Sequence, residues 1–289
     1  MASTQALKGR IRSVSSTKQI TKAMELVAAS KRRKAQEATK ASSPYARAAS
    51  ALLANLSSHV VVKDHPLFTK REVKSRLIIV VASDKGLAGA FNSNIIRRYA
   101  SQLKEDQENG ISNKTITIGR KASQFASRLE NVEVIGTYQD LADRPSGREM
   151  KALLSIAKDM FVDGEADAVD LIYTDYISTI RQQATTTQLF PVGVSVGKPA
   201  ADAKDVLYEP SAEEVLDGVV YRLVGSQLYQ ALLDSRASEH SMRMMAMRNA
   251  TDNASDLIDD LTLEMNKARQ GAITQELAEI SGGVEAMND

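Results

Sequence analysis

The hydrophobic pattern divides the chain into two helical ends and a mixed centre. Near both termini, apolar side chains recur at three- and four-residue spacing, which is typical of an α-helix that packs along one face. Lys18 interrupts the first stripe, and we expect the stripe to resume beyond it in a shifted phase. The first stripe consists of Leu7, Ile11, Val14, Ile20, Met24 and Val27. The second consists of Leu216, Val220, Leu223, Leu228, Leu232, Met242, Met245, Ile258, Leu261, Met265, Ala268 and Ala272.

Proline is missing from both ends of the chain. Residues 1–43 and 211–289 contain none, and a proline inside a helix costs about 3 kcal/mol. We therefore predict an N-terminal helix over 1–57 and a C-terminal helix over 211–285, roughly 80 and 105 Å long at about 1.5 Å per residue. Such lengths exceed a compact domain of this size. We expect the two helices to shelter against each other as a coiled coil.

The C-terminal helix has predicted boundaries of its own. Ser211 is a suitable N-cap, and the pair Gly282–Gly283 is expected to end the helix. From Lys267 onward, large apolar residues become sparse. A free pair of helices would not be stable there, so we expect this end to be covered by something else.

Between the helical ends, short apolar strands alternate with helical segments. This alternation predicts an α/β domain with a mostly parallel, Rossmann-like sheet over residues 70–205. The predicted strands are 77–82, 115–119, 132–136, 168–176 and 184–196, and the predicted helices are 92–108, 120–129 and 146–162, the last capped by Ser146.

The composition excludes several classes of protein. There is no Cys, which excludes disulfides, thiol catalysis, zinc–thiolate sites and iron–sulfur clusters. Aromatic residues make up only 4%, which favours long helices over a β-sandwich or barrel. The longest apolar run, Leu77–Ala82, is far shorter than the roughly 20 residues that span a bilayer. The first residues lack an apolar core, so we expect no secretory signal.

Opposite charges are concentrated at the two ends. Residues 1–57 hold eleven Lys or Arg and two Glu, whereas residues 211–289 hold six Lys or Arg and fourteen Asp or Glu. The whole chain carries a net charge of only +1. Segments of opposite charge can lie side by side, and each can also attract a charged partner.

Enzymatic chemistry finds little support. The turn at 84–92, DKGLAGAFN, lies between a strand and a helix, where phosphate-binding loops occur, but it lacks both the G-x-G-x-x-G spacing and the Lys-Ser/Thr ending of a P-loop. The three histidines, His59, His65 and His240, are far apart and lack metal-ligand spacing. No G-x-S-x-G elbow supports a nucleophilic serine. We expect no cofactor and no metal.

Charged and methionine-rich clusters on the helices have ordinary structural explanations. Asp256, Asp259 and Asp260 are expected to form a solvated helix face, and the methionines of 242–247 to fill gaps in the coiled coil. The basic cluster KRRK at 31–34 is not interleaved with aromatic residues, which disfavours nucleic-acid binding. An acidic protein surface is a better-motivated partner.

Three long motifs carry a resemblance to a known family. The opening LKGRIRSVSSTKQITKAMELVAASKRRKAQ resembles the N-terminal signature of the gamma subunit of F-type ATP synthase. The turn SDKGLAGAFN resembles that family's central motif, and ATDNASDLIDDLTLEMNKARQGAITQELAEISGG resembles its C-terminal signature. Together the motifs cover essentially the whole chain, and we identify it as resembling a bacterial-like member.

The resemblance implies a mechanical function rather than catalysis. In this family the terminal helices form an antiparallel, left-handed coiled coil that turns as an axle inside a hexamer of alternating alpha and beta subunits. The α/β domain sits with the lower coiled coil on the membrane ring of c subunits, beside the epsilon subunit. There is one copy per complex, and proton flow is coupled to ATP synthesis or hydrolysis. The implied location is peripheral, on the cytoplasmic face of the bacterial plasma membrane.

The resemblance also implies partner-binding residues. Those expected to meet the catch loops of beta are Arg269, Gln270, Thr274 and Glu276, with Met24 on the facing helix next to them. The basic cluster Lys31, Arg32, Arg33 and Lys34 is expected to face the acidic lever segment of beta. Glu209 is expected at the foot near the c ring, and residues 281–289 in the bearing at the top of the hexamer.

Some features depart from the family pattern and leave alternatives open. The cysteine pair of the redox-switched chloroplast relatives is missing, and Gly271 stands where a better helix former is usual, at a cost of about 1 kcal/mol. One alternative is an α/β nucleotide-binding enzyme with a coiled-coil oligomerisation handle. A static scaffold is another.

Overall fold

The computed structural model describes residues 4–58, 65–193 and 212–286. The chain divides into two compact units, one made of residues 1–28 with 243–289 and the other of residues 29–242. Both terminal helices contribute to both units. The three-domain division drawn from the sequence places its boundaries elsewhere and stays a prediction.

The second unit contains a five-stranded sheet of the predicted α/β type. Its strands are β1 (Ser75–Val81), β2 (Ser112–Ile118), β3 (Glu133–Tyr138), β4 (Ala168–Tyr176) and β5 (Gln182–Phe190). The strand order is β3-β2-β1-β4-β5. Every neighbouring pair is parallel except β4 with β5, which is antiparallel. The mostly parallel sheet is therefore confirmed.

Helices cover both faces of this sheet. The helices are α1 (Thr4–Ser58), α2 (Phe91–Glu108), α3 (Arg120–Ala126), α4 (Gly147–Val162) and α5 (Ala212–Ala286), with a short 3-10 helix at Pro66–Phe68. The central strand β1 alternates between two cores: Leu77, Ile79 and Val81 pack with α1, α4 and α5. Ile78 and Val80 pack with α2 and α3 on the other face. Two buried faces explain why this strand is apolar throughout.

The predicted cap of α4 is confirmed in detail. The Ser146 hydroxyl accepts a hydrogen bond from the Glu149 backbone N–H, and the Glu149 carboxylate accepts one from the Ser146 backbone N–H at 2.8 Å. This reciprocal capping box satisfies two N–H groups that have no partner within the helix. These hydrogen bonds to the charged carboxylate also lower the pKa of Glu149.

Removing this cap should destabilise the protein modestly. We expect Ser146→Ala to lower the free energy of unfolding by about 1 kcal/mol, because the first turn of α4 loses its side-chain acceptor. Urea unfolding followed by circular dichroism would measure the change. Ser101→Ala, at an exposed position inside α2, is the control and should change stability by no more than about 0.5 kcal/mol. Equal effects of the two variants would contradict the capping assignment.

In the first unit, α1 and α5 pack along an unbroken heptad seam. The Thr21 and Thr251 hydroxyl oxygens lie 2.8 Å apart, and both residues are buried. The seam positions on α1 are Leu7, Ile11, Val14, Lys18, Thr21, Glu25 and Ala28, and those on α5 are Met247, Thr251, Ala254, Ile258, Leu261, Met265 and Ala268. The alternating spacing of four and three residues is that of a left-handed coiled coil.

The predicted phase shift after Lys18 is wrong. Ile20 is 61% and Val27 is 58% exposed, whereas Lys18 is half-buried and Thr21 is buried. The heptad runs straight through polar and small residues. These residues occupy seam positions because Ala and Thr let the two backbones approach closely, so the largest side chains do not mark the seam here.

Both long helices continue through residues that commonly interrupt a helix. The pair Gly282–Gly283 lies within α5, which ends only at Ala286, so the predicted stop is wrong. Glycine lowers helix propensity by about 1 kcal/mol but leaves the backbone N–H and C=O groups in place. Pro44 lies inside α1. Ser211, the predicted cap of α5, lies outside the described residues.

No helix in the described part of the chain is long and apolar enough to cross a membrane.

Candidate functional site

The loop at the carboxyl end of β1 is held by side chains of the SDKGLAGAFN motif. The amide of Asn92 accepts from the Ser83 backbone N–H at 3.1 Å and donates to the Ser83 hydroxyl at 2.8 Å. The Ser83 hydroxyl in turn lies 2.6 Å from the Lys85 carbonyl. Asn92 therefore ties the start of α2 to the end of β1.

Asp84 connects this loop to two other strand ends. One of its carboxylate oxygens, Oδ1, accepts from the backbone N–H groups of Arg120 at 3.0 Å and Asp140 at 3.1 Å. Close approach is possible because residue 119 is glycine: it has a φ of +93°, and a Cβ there would lie 2.2 Å from the Ala82 carbonyl oxygen. The carboxyl ends of β1, β2 and β3 thus meet at one carboxylate.

Arg236 on α5 contacts the same carboxylate. Its guanidinium lies 3.7 Å from the other oxygen of Asp84, Oδ2, donates to Glu239 at 2.9 Å and donates to the Leu141 carbonyl at 3.0 Å. The side chains of Asp84, Arg236 and Glu239 are all largely buried. We call these three residues the Arg236 cluster. It fastens α5 to the carboxyl edge of the sheet.

Residues 231–241 of α5 are buried on every side. Besides the Arg236 cluster, the Ser235 hydroxyl accepts from the Thr174 backbone N–H at 3.0 Å. Asp143 lies 3.2 Å from His240 Nε2 and 3.2 Å from Lys31 Nζ, so one carboxylate connects α5 and α1. The hydrogen bond from His240, aided by Lys31, holds the pKa of Asp143 well below its usual range. Within the second unit, this segment of α5 is therefore fixed by polar contacts to several other elements.

These contacts disfavour phosphate binding at the 84–92 turn. In open α/β sheets, ligands bind at the carboxyl ends of the strands, and here that position holds the Asp84 carboxylate. Its contacts are backbone N–H groups and a guanidinium, which are the donors that a phosphate would need. Within the described residues, no group of His, Cys, Asp and Glu is arranged to hold a metal ion.

The basic cluster does not present one continuous face. Lys31 contacts Asp143, and the Arg32 guanidinium donates to the Thr179 hydroxyl at 3.1 Å. Arg33 pairs with Glu37 on the exposed side, and Lys34 is also exposed. Four consecutive helical residues point in directions about 100° apart, so the four basic side chains do not share one surface of α1.

The end of α5 is exposed in the first unit. The hydrogen-bond register of Thr21 with Thr251 places Thr4, the first described residue of α1, opposite Ala268. Each residue from Arg269 to Ser281 is exposed, and we call this range the tip segment. Ala272, assigned to the seam from the sequence, is exposed with it.

The tip segment combines polar side chains with an apolar stripe. Ile273, Leu277 and Ile280 are exposed and spaced by four and three residues, so they share one face of the helix. The predicted partner residues Arg269, Gln270, Thr274 and Glu276 are exposed on the same segment, and the Thr274 hydroxyl donates to the Gln270 carbonyl. An apolar stripe of this kind typically packs against another chain.

Two other predicted partner residues are placed differently. Met24 is half-buried, and the register puts it opposite Arg248, about 30 Å along the helix from Arg269. The structure therefore does not bring Met24 next to the tip segment. Glu209 lies outside the described residues, as do residues 287–289.

Sequence reasoning missed the residues that fasten α5 to the second unit. Arg236, Asp143 and His240 carry no motif spacing, and their partners are distant in the chain. One signal was available: Asp84, Ser83 and Asn92 all belong to the quoted central motif. Their side chains make the contacts described above, which accounts for their residue types.

Comparison with protein families identifies a full-length match. A family model described as ATP synthase matches residues 3–287. The ATP synthase gamma chain of Stenotrophomonas maltophilia (strain R551-3) is 42% identical over 288 residues, which covers 99% of this chain and 100% of the relative. The ATP synthase gamma chain of Xylella fastidiosa (strain M23) is 41% identical with the same coverage.

Solved structures match the fold as well. A chain of the central stalk/c-ring structure of Tetrahymena thermophila mitochondrial ATP synthase has a TM-score of 0.62 at 25% identity, covering 80% of this chain and 99% of that one. A chain of Euglena gracilis mitochondrial ATP synthase has a TM-score of 0.68 at 15% identity, covering 98% and 94%. The second likeness concerns the fold alone.

Proposed function

The chain belongs to the ATP synthase gamma chain family, and we propose that it acts as the non-catalytic rotor subunit of that complex. In this role it transmits rotation of the membrane c ring to the catalytic alpha/beta hexamer. Proton flow is thereby coupled to ATP synthesis or hydrolysis. Nucleotide is handled by the partner subunits, and this chain needs no cofactor.

The exposed tip segment is the observation that carries this proposal. Its apolar stripe, Ile273, Leu277 and Ile280, lies on a helix that extends past the described start of α1. A surrounding sleeve of partner subunits would cover that stripe. The mixture of apolar, polar and charged groups gives modest contacts in several directions, as a part that must turn requires.

The grip on α5 in the second unit supports torque transmission. A helix that transmits torque must not slip within the body that drives it. The Arg236 cluster holds residues 231–241 through buried, charge-assisted hydrogen bonds, and the exposed carboxylate of Asp143 adds a contact to His240. A force applied to the sheet would therefore reach α5 through fixed polar contacts as well as through apolar packing.

The partner assignments follow from the family. We propose that Arg269, Gln270, Thr274 and Glu276 meet the catch loops of beta, and that Met24 contacts beta at a separate level. Within the basic cluster, Arg33 and Lys34 are the better candidates for the acidic lever segment, because Lys31 and Arg32 contact other elements of this chain, whereas Arg33 pairs with Glu37 on the exposed side of α1. Glu209 is proposed near the c ring, and residues 281–289 in the bearing.

The same proposal covers assembly and location. One copy per complex would contact alpha, beta, epsilon and the c ring. We place it at the cytoplasmic face of the bacterial plasma membrane as a peripheral protein, because the relatives quoted above are bacterial gamma chains.

A disulfide crosslink tests the rotor role. The chain has no Cys, so Arg269→Cys supplies a single thiol that can be oxidised onto a cysteine placed in a beta catch loop of the assembled complex. We expect ATP-driven proton pumping to be lost on oxidation and to return on reduction. The complex with Arg269→Cys but no cysteine in beta is the control and should be insensitive to the oxidant.

A second crosslink excludes swivelling of a single helix. Ala23→Cys lies at an exposed position of the paired part of α1, where two helices would have to unwind together. If complexes in which Ala23→Cys is fully crosslinked to a cysteine in beta still pumped protons at the full rate, the rotor role would be contradicted and a static scaffold favoured.

A further inference from the structure

A cavity of about 380 Å³, open to solvent, lies in the second unit. It is bounded by α1, α5 and the strands β4 and β5. Its lining includes one anionic and one cationic side chain, Asp234 and Arg47, together with Tyr173, Thr187, Gln188 and Gln227. The rotor role gives no reason for an anionic and a cationic side chain to line the same cavity.

Asp234 is a buried carboxylate without a counter-ion among the described residues. It is only 8% exposed; the Gln230 amide donates to it at 3.0 Å, and the Thr39 side chain also favours its charged form. The Gln230 carbonyl accepts from Ser42, which fixes the orientation of that amide. The nearby charge is of the same sign, on Asp175. Burying a charge without a partner is costly, so a bound cation would stabilise the ionised form of Asp234.

Burial sets the charge state of this carboxylate. It raises the pKa of Asp234 to about 7, and Asp175 adds to the effect. The titratable and charged groups facing it are Arg47 on α1 and Tyr173 and Asp175 on β4. The residues that β5 contributes to the cavity, Thr187, Gln188 and Leu189, are all neutral. Above neutral pH the Asp234 carboxylate is therefore mostly ionised, and no cationic side chain of the described residues forms an ion pair with it.

Arg47 lines the cavity from α1 and is exposed to solvent. Its Nε and Nη2 both donate to the Ser43 hydroxyl, at 3.0 and 2.9 Å. Among the described residues it forms no ion pair. Its guanidinium keeps further N–H donors, which can bind a carboxylate or another anion.

The helix register keeps the two charges apart. Gln230 lies opposite Ser42, and α1 and α5 run antiparallel. Arg47 is five residues beyond Ser42, and Asp234 is four residues beyond Gln230 in the opposite direction. At about 1.5 Å per residue, this contact puts the two Cα positions about 13 Å apart along the helix axes, whereas the contact of Gln227 with Ser50 puts them about 6 Å apart. The space between these side chains can therefore hold a ligand.

We propose that this cavity binds a small zwitterion that carries an ammonium group and, several carbons away, a carboxylate. The ammonium group contacts Asp234, and the carboxylate contacts Arg47. The methylene chain between them lies along the cavity past Tyr173. Such a ligand would compensate both charges at once, which a simple amine or a simple acid would not do.

Ligand-observed NMR on the full-length protein would test the site. The probe is 6-aminohexanoate at pH 8, with hexylamine and hexanoate as single-charge probes. We expect saturation transfer to 6-aminohexanoate with a millimolar Kd, and at least about tenfold weaker binding of either single-charge probe. Asp234→Asn should weaken 6-aminohexanoate binding at least tenfold and Arg47→Gln several-fold. Asp175→Asn, next to the cavity, is the matched control and should change Kd less than about twofold.

The pH dependence separates this site from non-specific contact. Because Asp234 must be ionised, binding should be about tenfold weaker at pH 6 than at pH 8, while the probe keeps both charges over this range. Asp234→Asn should lose that dependence. Undetectable binding at about 50 mM probe, or binding that Asp234→Asn leaves unchanged, would overturn the proposal.

Discussion

Replacing Arg236 by alanine is expected to lower the free energy of unfolding by about 3–5 kcal/mol, because two buried carboxylates lose the guanidinium that contacts them both. Arg236 itself is 9% exposed, and it bridges Asp84 at 3.7 Å and Glu239 at 2.9 Å. Little water can enter to replace it. A loss of this size is a large share of the 5–15 kcal/mol that stabilise a typical domain.

Two further variants separate the loss of the buried charge pair from the loss of side-chain packing. Arg222→Ala, at an exposed position on the same helix, is the control and should change stability by no more than about 0.5 kcal/mol. Adding Glu239→Gln to Arg236→Ala should recover part of the loss, because one buried charge is then removed. Urea unfolding of the full chain, followed by circular dichroism, would measure all three. If Arg236→Ala matched Arg222→Ala, the Arg236 cluster would not be what holds α5.

The same variant has a functional readout in the assembled complex. If α5 transmits torque through the Arg236 cluster, Arg236→Ala should lower ATP-driven proton pumping more than it lowers ATP hydrolysis. A merely less stable subunit would lower both in proportion to the amount of complex assembled. Pumping and hydrolysis that fall together would thus assign Arg236 to stability alone.

Local sequence signals predicted the α/β part of the fold well. Strand β1 reads as a continuous apolar run because both of its faces are buried, and β4 was placed within its observed bounds of Ala168–Tyr176. The start of α4 was predicted because Ser146 and Glu149 form a cap within one turn. In each case, residues close in the sequence determine the local structure.

Contacts between distant segments were harder to predict. The seam was misplaced at Ile20 and Val27 because the true members beside them are Thr21 and Ala28, whose polarity or small size hides their position. The Arg236 cluster was not predicted because an arginine on a long helix is usually exposed, and its partner Asp84 is distant in the sequence. The basic cluster looked like one surface, since the sequence does not tell which side of the helix meets Asp143.

Some of the candidate site was accessible from sequence. The scarcity of large apolar residues after Lys267 led to the expectation that this end is covered by something else, which stays a prediction; each residue of the tip segment is exposed in this chain. The proposed contacts of Arg269 and Gln270 with beta remain predictions. They depend on a second chain, and neither the pattern of this sequence nor its own fold contains that chain.

Asp234→Asn is expected to stabilise the protein increasingly as the pH rises from about 4 to 7. Burial raises the pKa of Asp234 from 3.8 to about 7, so the folded state holds a proton that the unfolded state has released. The wild-type protein has the full benefit of the protonated carboxyl below about pH 4 and loses it as the pH rises through 7. The amide stays neutral throughout and can still accept from Gln230.

The size of this effect follows from the pKa difference. About three pKa units at 1.36 kcal/mol each set an upper limit near 4 kcal/mol, and partial solvent access reduces it, so we expect a gain of about 2–4 kcal/mol above pH 7. Urea unfolding at a series of pH values would reveal the slope. Asp256→Asn, at an exposed position on α5, is the control for removing a carboxylate from this helix. If Asp234→Asn behaved in the same way, Asp234 would titrate normally, and its burial would not disfavour the charge.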